Sequence, residues 1–222
     1  LSLSLSLSLS LFLSFFFFGG GSICFRFQSM QLMEAMWCLL PPKDRLVSVE
    51  SLELGVSKPS EVNLYLQATA AAALRAVLQD PSRPNRGLQI NSMLRTVAQQ
   101  YLTRRWRLDG KCGVTAASKP GGSDHEFGLA FDIPDAVRPE WHAVLEKHGW
   151  KWYGPGDRFH YSFQRSSVPW GVSVKAFQRL WNVNNPTDVI PEDGIYGSQT
   201  EQRLARAPCN GFKVPVTCED AE

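Results

Sequence analysis

The chain reads as an α+β protein, with a small antiparallel sheet between flanking helices and a small helical module near its C-terminal end. Three observations predict this. Stretches rich in Ala and Leu carry apolar residues at helical spacing. Short aromatic-rich runs bounded by Gly and Pro read as strands joined by turns. Around Pro169 and Gly171 the pattern breaks, and a second set of helical signals begins.

The elements follow in order. Residues 1–40 stand apart as a low-complexity or leader segment, because Leu1–Ser10 is a strict Leu-Ser alternation followed by the apolar run Leu11–Phe18 and three glycines. That run has the apolar character of a signal peptide but lacks a starting Met and a basic flank, and it is too short to span a bilayer. Met30, Met33 and Met36 are candidate starts. Val62–Leu78 is expected as a helix that stops before the turn-forming Asp80-Pro81-Ser82-Arg83-Pro84. Leu88–Ile90 reads as a short strand, and the spacing of Met93, Leu94, Val97, Tyr101 and Leu102 predicts a second helix reaching Trp106, with Arg95 near its start. Leu129–Ile133 is a buried strand stopped by Pro134, and Trp141, Val144, Leu145 and His148 mark another amphipathic helix. Trp150–Tyr153 and Phe159–Phe163 are strands joined by the turn Gly154-Pro155-Gly156-Asp157. These elements place a first domain over residues 60–166. A module over 168–212 follows, with one helical face made by Val174, Phe177, Leu180 and Trp181, a break at Asn184-Asn185-Pro186, a turn at Asp193-Gly194 and a second helix over Thr200–Leu204. Such a segment is too small for a large core of its own and is expected to lean on the first domain or on a ligand.

Composition excludes several classes. The 222 residues are 44% hydrophobic, enough for a buried core, and the net charge of +2 is spread along the chain. Basic runs interleaved with aromatics are lacking, so no nucleic-acid partner is expected. No stable membrane span is expected either, and the protein is read as a monomer. Composition leaves its location open. The five cysteines (Cys24, Cys38, Cys112, Cys209 and Cys218) form no metal-binding pair, and Cys209 with Cys218 is the candidate bridge.

The chemistry concentrates in Ser123-Asp124-His125-Glu126-Phe127-Gly128-Leu129-Ala130-Phe131-Asp132 and in Asp157-Arg158-Phe159-His160. Two histidines and a carboxylate match the three N and O ligands that catalytic zinc takes while keeping a fourth position for water. His125, Asp132 and His160 fill that count, and a carboxylate at Asp157 could take a proton from the attacking water and pass it to the leaving amine. The pattern SxHxxGxAxD, followed by an acid three residues before a His, resembles the zinc D-alanyl-D-alanine carboxypeptidases and the related L-alanyl-D-glutamate peptidases over roughly residues 62–163. The resemblance implies that His125, Asp132 and His160 hold Zn2+ and that Asp157 is the general base, where many members have Glu. It also implies that Ser92 and Arg95, in a Ser-x-x-Arg segment, and Ser123 lie at the substrate, with Arg95 gripping a carboxylate by paired hydrogen bonds. Leu94 stands where the family often has an aromatic. His142 and His148 match no motif position and read as structural, whereas Trp150 and Trp152 either line the cleft or pack in the core.

Further on, Phe177-Gln178 and Asp193-Gly194-Ile195-Tyr196-Gly197-Ser198-Gln199-Thr200 resemble the peptidoglycan-binding repeat, which pairs an FQ helix with a DGxxGxxT turn. Together the resemblances imply a zinc metallopeptidase acting on D-amino-acid-containing peptidoglycan peptides, foremost a D-alanyl-D-alanine carboxypeptidase, held on the wall polymer by its C-terminal module. The alternatives are an L-alanyl-D-glutamate endopeptidase and a non-catalytic, zinc-containing wall-binding protein.

Overall fold

A computed structural model describes residues 21–56, 62–164 and 170–218, with side chains from residue 28 onward. The Leu-Ser repeat, the apolar run after it, the side chain of Cys24 and Pro169 of the expected linker lie outside the described residues. The architecture is mixed α+β, with small sheets and six α-helices among those residues.

The site rests on a three-stranded antiparallel sheet of order β5-β7-β6, formed by β5 (Ala130–Asp132), β6 (Trp150–Trp152) and β7 (His160–Phe163). Side chains alternate across a strand, so Phe131 and Tyr161, opposite each other in the β5–β7 register, share the inner face with Trp150. All three are fully buried. Trp150 therefore belongs to the core and does not line a cleft. Asp132 and His160, one step along and also directly opposite each other, share the other face. α4 (Arg138–Lys147) packs beside β6 through Trp141, Val144 and Leu145.

Two smaller pairings flank this sheet. β1 (Leu46–Ser48) runs antiparallel to β3 (Tyr65–Gln67), and β2 (Gly55–Val56) runs parallel to β4 (Gln89–Ile90). The helix expected over Val62–Leu78 thus begins later, as α2 (Ala68–Gln79). Tyr65, Leu66 and Gln67 pair with β1, and the Ala run that favours a helix starts only at Ala68. Asp80 caps α2 in extended conformation, the state imposed on a residue that precedes proline.

α3 (Val97–Leu108) also starts later than its apolar spacing suggested. A capping box decides the point: the Thr96 side chain accepts from the Gln99 backbone N–H, and the Gln99 side chain accepts from the Thr96 N–H. Residues 92–95 are left extended. Ser92 bridges to Asp132 and Leu94 to Asn63, so Arg95 lies ahead of the helix and beside β5.

The largest departure concerns the chain ends. α1 (Gly21–Leu39) packs against α5 (Val172–Asn184), and Leu32, Ala35 and Met36 are buried in the same apolar cluster as Val174, Phe177 and Leu180. Part of the segment set apart as leader by its composition thus contributes to the core, through Leu32, Ala35, Met36 and Leu40. Gln31 exchanges hydrogen bonds with the backbone of Phe212, its Nε2 donating at 2.9 Å and its Oε1 accepting at 2.7 Å. Cys218 is disulfide-bonded to Cys38, 180 residues away, and so not to Cys209, which takes part in a separate disulfide. Proximity along the chain does not bring two Cα atoms within bridging distance, whereas the packing of α1 on the C-terminal segment does. Cys112 is free and exposed.

The C-terminal module consists of α5, a loop and α6 (Ser198–Leu204). Its motif residues form one hydrogen-bond hub around the buried Gln178. Gln178 Nε2 donates to Asp193 Oδ1 at 2.9 Å, to Thr200 Oγ1 at 3.2 Å and to the Ile195 carbonyl at 3.3 Å, while its Oε1 accepts from the Gly194 N–H at 2.8 Å. Gly171 shows why glycine is needed at the helix start. Its φ is +79°, and a Cβ there would lie 2.0 Å from the Gly194 carbonyl oxygen.

Candidate metal centre

Three short segments converge on one face of the β5–β7 pair. Asp132 and His160 come from directly opposite register positions, where side chains of an antiparallel pair are neighbours. His125 comes from a 3-10 turn, Asp124–Phe127, that ends at Gly128. Gly128 has φ +67°, and a Cβ there would meet Leu46 Cδ2 at 2.6 Å and the Gln67 N at 3.1 Å. Only glycine turns the chain from that turn into β5 in this space. Ala130, two residues before Asp132 and on the same face, is fully buried, so a larger side chain would have to displace its neighbours.

The donor atoms form a nearly equilateral triangle. His125 Nε2 lies 3.1 Å from Asp132 Oδ1 and 3.1 Å from His160 Nδ1, and His160 Nδ1 lies 3.2 Å from Asp132 Oδ1. A tetrahedral ligand set with bonds of about 2.0–2.1 Å holds neighbouring donors about 3.3–3.4 Å apart. The triangle is close to that size, and the group could hold a metal ion.

The outer hydrogen bonds fix the tautomers. His125 Nδ1 is 2.6 Å from the Met93 carbonyl, which can only accept, so the ring hydrogen sits on Nδ1 and Nε2 carries a lone pair. The Ser162 hydroxyl donates to Asp124 Oδ2 at 2.9 Å, and its oxygen is then free to accept from His160 Nε2 at 2.8 Å. In a neutral ring this leaves the lone pair on His160 Nδ1. Two imidazole lone pairs and a carboxylate oxygen therefore face one another, an arrangement that repels without a cation and coordinates with one.

For His125 the electrostatics agree with this assignment. Burial holds the His125 pKa down to about 4, aided by the positive charge of Arg95, so His125 is neutral near pH 7. Burial works against ionisation of Asp132, but charge and hydrogen bonds from His125 and His160, which act through a proton on the facing nitrogens when no cation is there, and the charge of Arg95 outweigh that and keep the carboxyl well below its ordinary value. Arg95 Nη2 donates to Asp132 Oδ2 at 3.1 Å, which leaves Oδ1 as the oxygen facing the two histidines.

The expected substrate residues fall around this centre in different ways. Arg95 donates through Nε to Ser92 Oγ at 3.1 Å and through Nη1 to Gln100 Oε1 at 3.0 Å. With the Asp132 contact, all three guanidinium nitrogens are engaged, and each terminal nitrogen retains a second N–H. Ser92 is a support for Arg95, and its carbonyl also accepts from the Asp132 N–H at 2.8 Å. Ser123 is buried at the start of the 3-10 turn, with its N–H directed at Glu126 Oε2. Asp157 lies in a short 3-10 turn before β7, partly buried, and loss of solvent together with the nearby charge of Asp132 raises its pKa. His142 and His148 are structural as expected, the first hydrogen-bonded to the Tyr161 hydroxyl and the second to Asp80.

Three contributors escaped the motif reading. Ser162 follows His160 by two residues on a strand and so shares its face, a signal the alternation of β7 contained. Asp124 adjoins His125 and reaches the triangle through Ser162. Glu126 is wholly buried, and burial raises its pKa to about 7 even though backbone and hydroxyl donors surround it. Comparison of the chain with protein-family models and with curated proteins finds no match.

Proposed function

We propose that this protein is a zinc metallopeptidase that hydrolyses D-amino-acid-containing peptidoglycan peptides, foremost as a D-alanyl-D-alanine carboxypeptidase. The observation that carries the reading is the convergence of His125 Nε2, His160 Nδ1 and Asp132 Oδ1, each with its lone pair turned inward by a separate outer hydrogen bond. A zinc ion held by these atoms supplies a Lewis acid and lowers the pKa of a water in its open position to about 7.

The residues of the chain do the rest. Asp157 accepts the proton of the attacking water and delivers it to the leaving amine, and a pKa raised by burial and the charge of Asp132 makes it a stronger base than an ordinary carboxylate. Arg95 offers its remaining N–H groups to a substrate carboxylate while its bond to Asp132 orients that ligand. Asp157 also weighs against a metal-holding protein without turnover, which has no need of a carboxylate three residues before a ligand. The FQ and DGxxGxxT residues support a wall-polymer partner for the C-terminal module, and disulfides support an oxidising location outside the cytoplasm.

The test joins metal content to product. Purified protein should carry about one zinc per chain, and His125→Ala or His160→Ala should lose most of it. Mass spectrometry of muropeptides after incubation should show loss of a terminal D-Ala. A cut between L-Ala and D-Glu would select the endopeptidase instead, and full zinc in both variants would overturn the metal centre.

A further inference from the structure

The 3-10 turn that carries His125 leans on the C-terminal module at three places. Glu126, the residue after His125, is fully buried, and its two carboxyl oxygens collect every donor around them. The Gly121 N–H is 2.9 Å from both oxygens, the Ser123 N–H is 3.3 Å from Oε2, and the hydroxyl of Ser173, in the first turn of α5, donates to Oε1 at 2.8 Å. Ser173 is itself 1% exposed. Beside this contact, Val174 packs so closely on Gly121 that a Cβ there would sit 2.8 Å from Val174 Cγ2. On the other side of His125, the Phe127 ring meets Trp170 edge-on at 5.6 Å between centroids.

We propose that Ser173 and Glu126 are positioning residues of the metal centre, through which α5 holds the 121–127 segment and with it His125. The inference rests on the metal reading above and gives the C-terminal module a second task besides any contact with the wall. Its physical basis is the accounting of buried donors. Glu126 ties the Gly121 and Ser123 amides into a closed loop, and Ser173 fixes the orientation of the carboxyl that does so. Without the hydroxyl, the carboxyl loses its one side-chain partner and a buried acceptor is left with less than it needs. The loop then gains freedom, and the His125 ring, held at Nδ1 by Met93, can no longer keep Nε2 in the triangle from its backbone side.

Ser173→Ala and Glu126→Gln test this, with Thr200→Ala as a control. Thr200 lies in the same module and removes a different buried bond, the one to Gln178. Zinc affinity is measured by competition with a chelator, and amide hydrogen exchange is followed at Gly121 and Ser123 in the full-length protein. Ser173→Ala should weaken zinc binding several-fold and speed exchange at both amides. Glu126→Gln should do more, because its amide NH2 would face N–H donors. Thr200→Ala should lower the Tm but leave zinc affinity and both amides unchanged. Two results would overturn the proposal: unchanged zinc affinity and exchange in Ser173→Ala, or equal zinc loss in Thr200→Ala. If the wild type binds no zinc, the proposed function fails separately, and exchange at Gly121 and Ser123 in Ser173→Ala still shows whether α5 holds the segment.

Discussion

At the scale of single residues, the proposed centre assigns metal binding and proton transfer to different groups, and the two can be removed independently. Asp157→Asn keeps the shape of the side chain and takes away its basicity, while the triangle of His125, Asp132 and His160 is untouched. Zinc content should therefore hold, and turnover should fall by a factor of ~10² or more, as loss of a general base does. Unchanged turnover with full zinc would remove Asp157 from the mechanism. Ser162→Ala should give the opposite split. It removes the acceptor that keeps the His160 hydrogen on Nε2, so zinc affinity should fall by about 10–100-fold. Measured by chelator competition, an affinity equal to wild type would show that another group sets the tautomer. The three residues that converge here were legible in the sequence because each has a local signature: a glycine turn before a buried strand for His125 and Asp132, and a strand end for His160. The tautomers were not, since Met93, Ser162 and Asp124 become partners only when β5, β7 and the segment before α3 are brought together.

At the scale of elements, boundaries were set by hydrogen bonds that apolar spacing does not report. Met93 and Leu94 continue the periodic pattern of α3 but are taken up by pairing with neighbouring segments, and the Thr96–Gln99 capping box starts the helix after them. That shift matters for function, because an extended backbone at residues 92–95 is what carries Arg95 to Asp132. A second terminal contact ties α2 to α4. Asp80, which caps α2, accepts from Ser82 N–H and Oγ, from Lys147 Nζ at 2.7 Å and from His148 Nε2 at 2.8 Å, and these donors hold its pKa far below the ordinary value. A carboxyl depressed in the folded state stabilises the fold above its unfolded pKa of about 3.9, and the contribution is lost as pH falls through the folded value. Asp80→Asn should accordingly lower the Tm at pH 7, and the gap from wild type should narrow below about pH 4. A gap that stayed constant or widened in acid would show that the Asp80 charge is not what joins these helices.

At the scale of the whole molecule, the first and the last stretches of the described residues share one core. Leu32, Ala35 and Met36 of α1 meet the apolar face of α5, and Cys38 is bonded to Cys218 beside them. None of this was legible from residues 21–40, whose helix shows no marked polar and apolar faces and follows a low-complexity run. The sequence separation of 180 between the bridged cysteines likewise carries no local signal. Its energetic consequence follows from chain statistics. A cross-link that closes a long loop removes conformational freedom from the unfolded ensemble, and loss of such a bond costs roughly 2–5 kcal/mol. The Cys38→Ser, Cys218→Ser double variant should therefore unfold at a lower guanidinium concentration than wild type, with a Tm several degrees lower. The effect should reach the metal centre as well, because α1 supports α5, and α5 supports the segment bearing His125. Zinc affinity of the folded double variant should then fall in step with its stability as guanidinium rises, before global unfolding is complete. If zinc is held unchanged up to the unfolding midpoint in both proteins, the core joining the chain ends and the metal centre are energetically separate, and the disulfide serves stability alone.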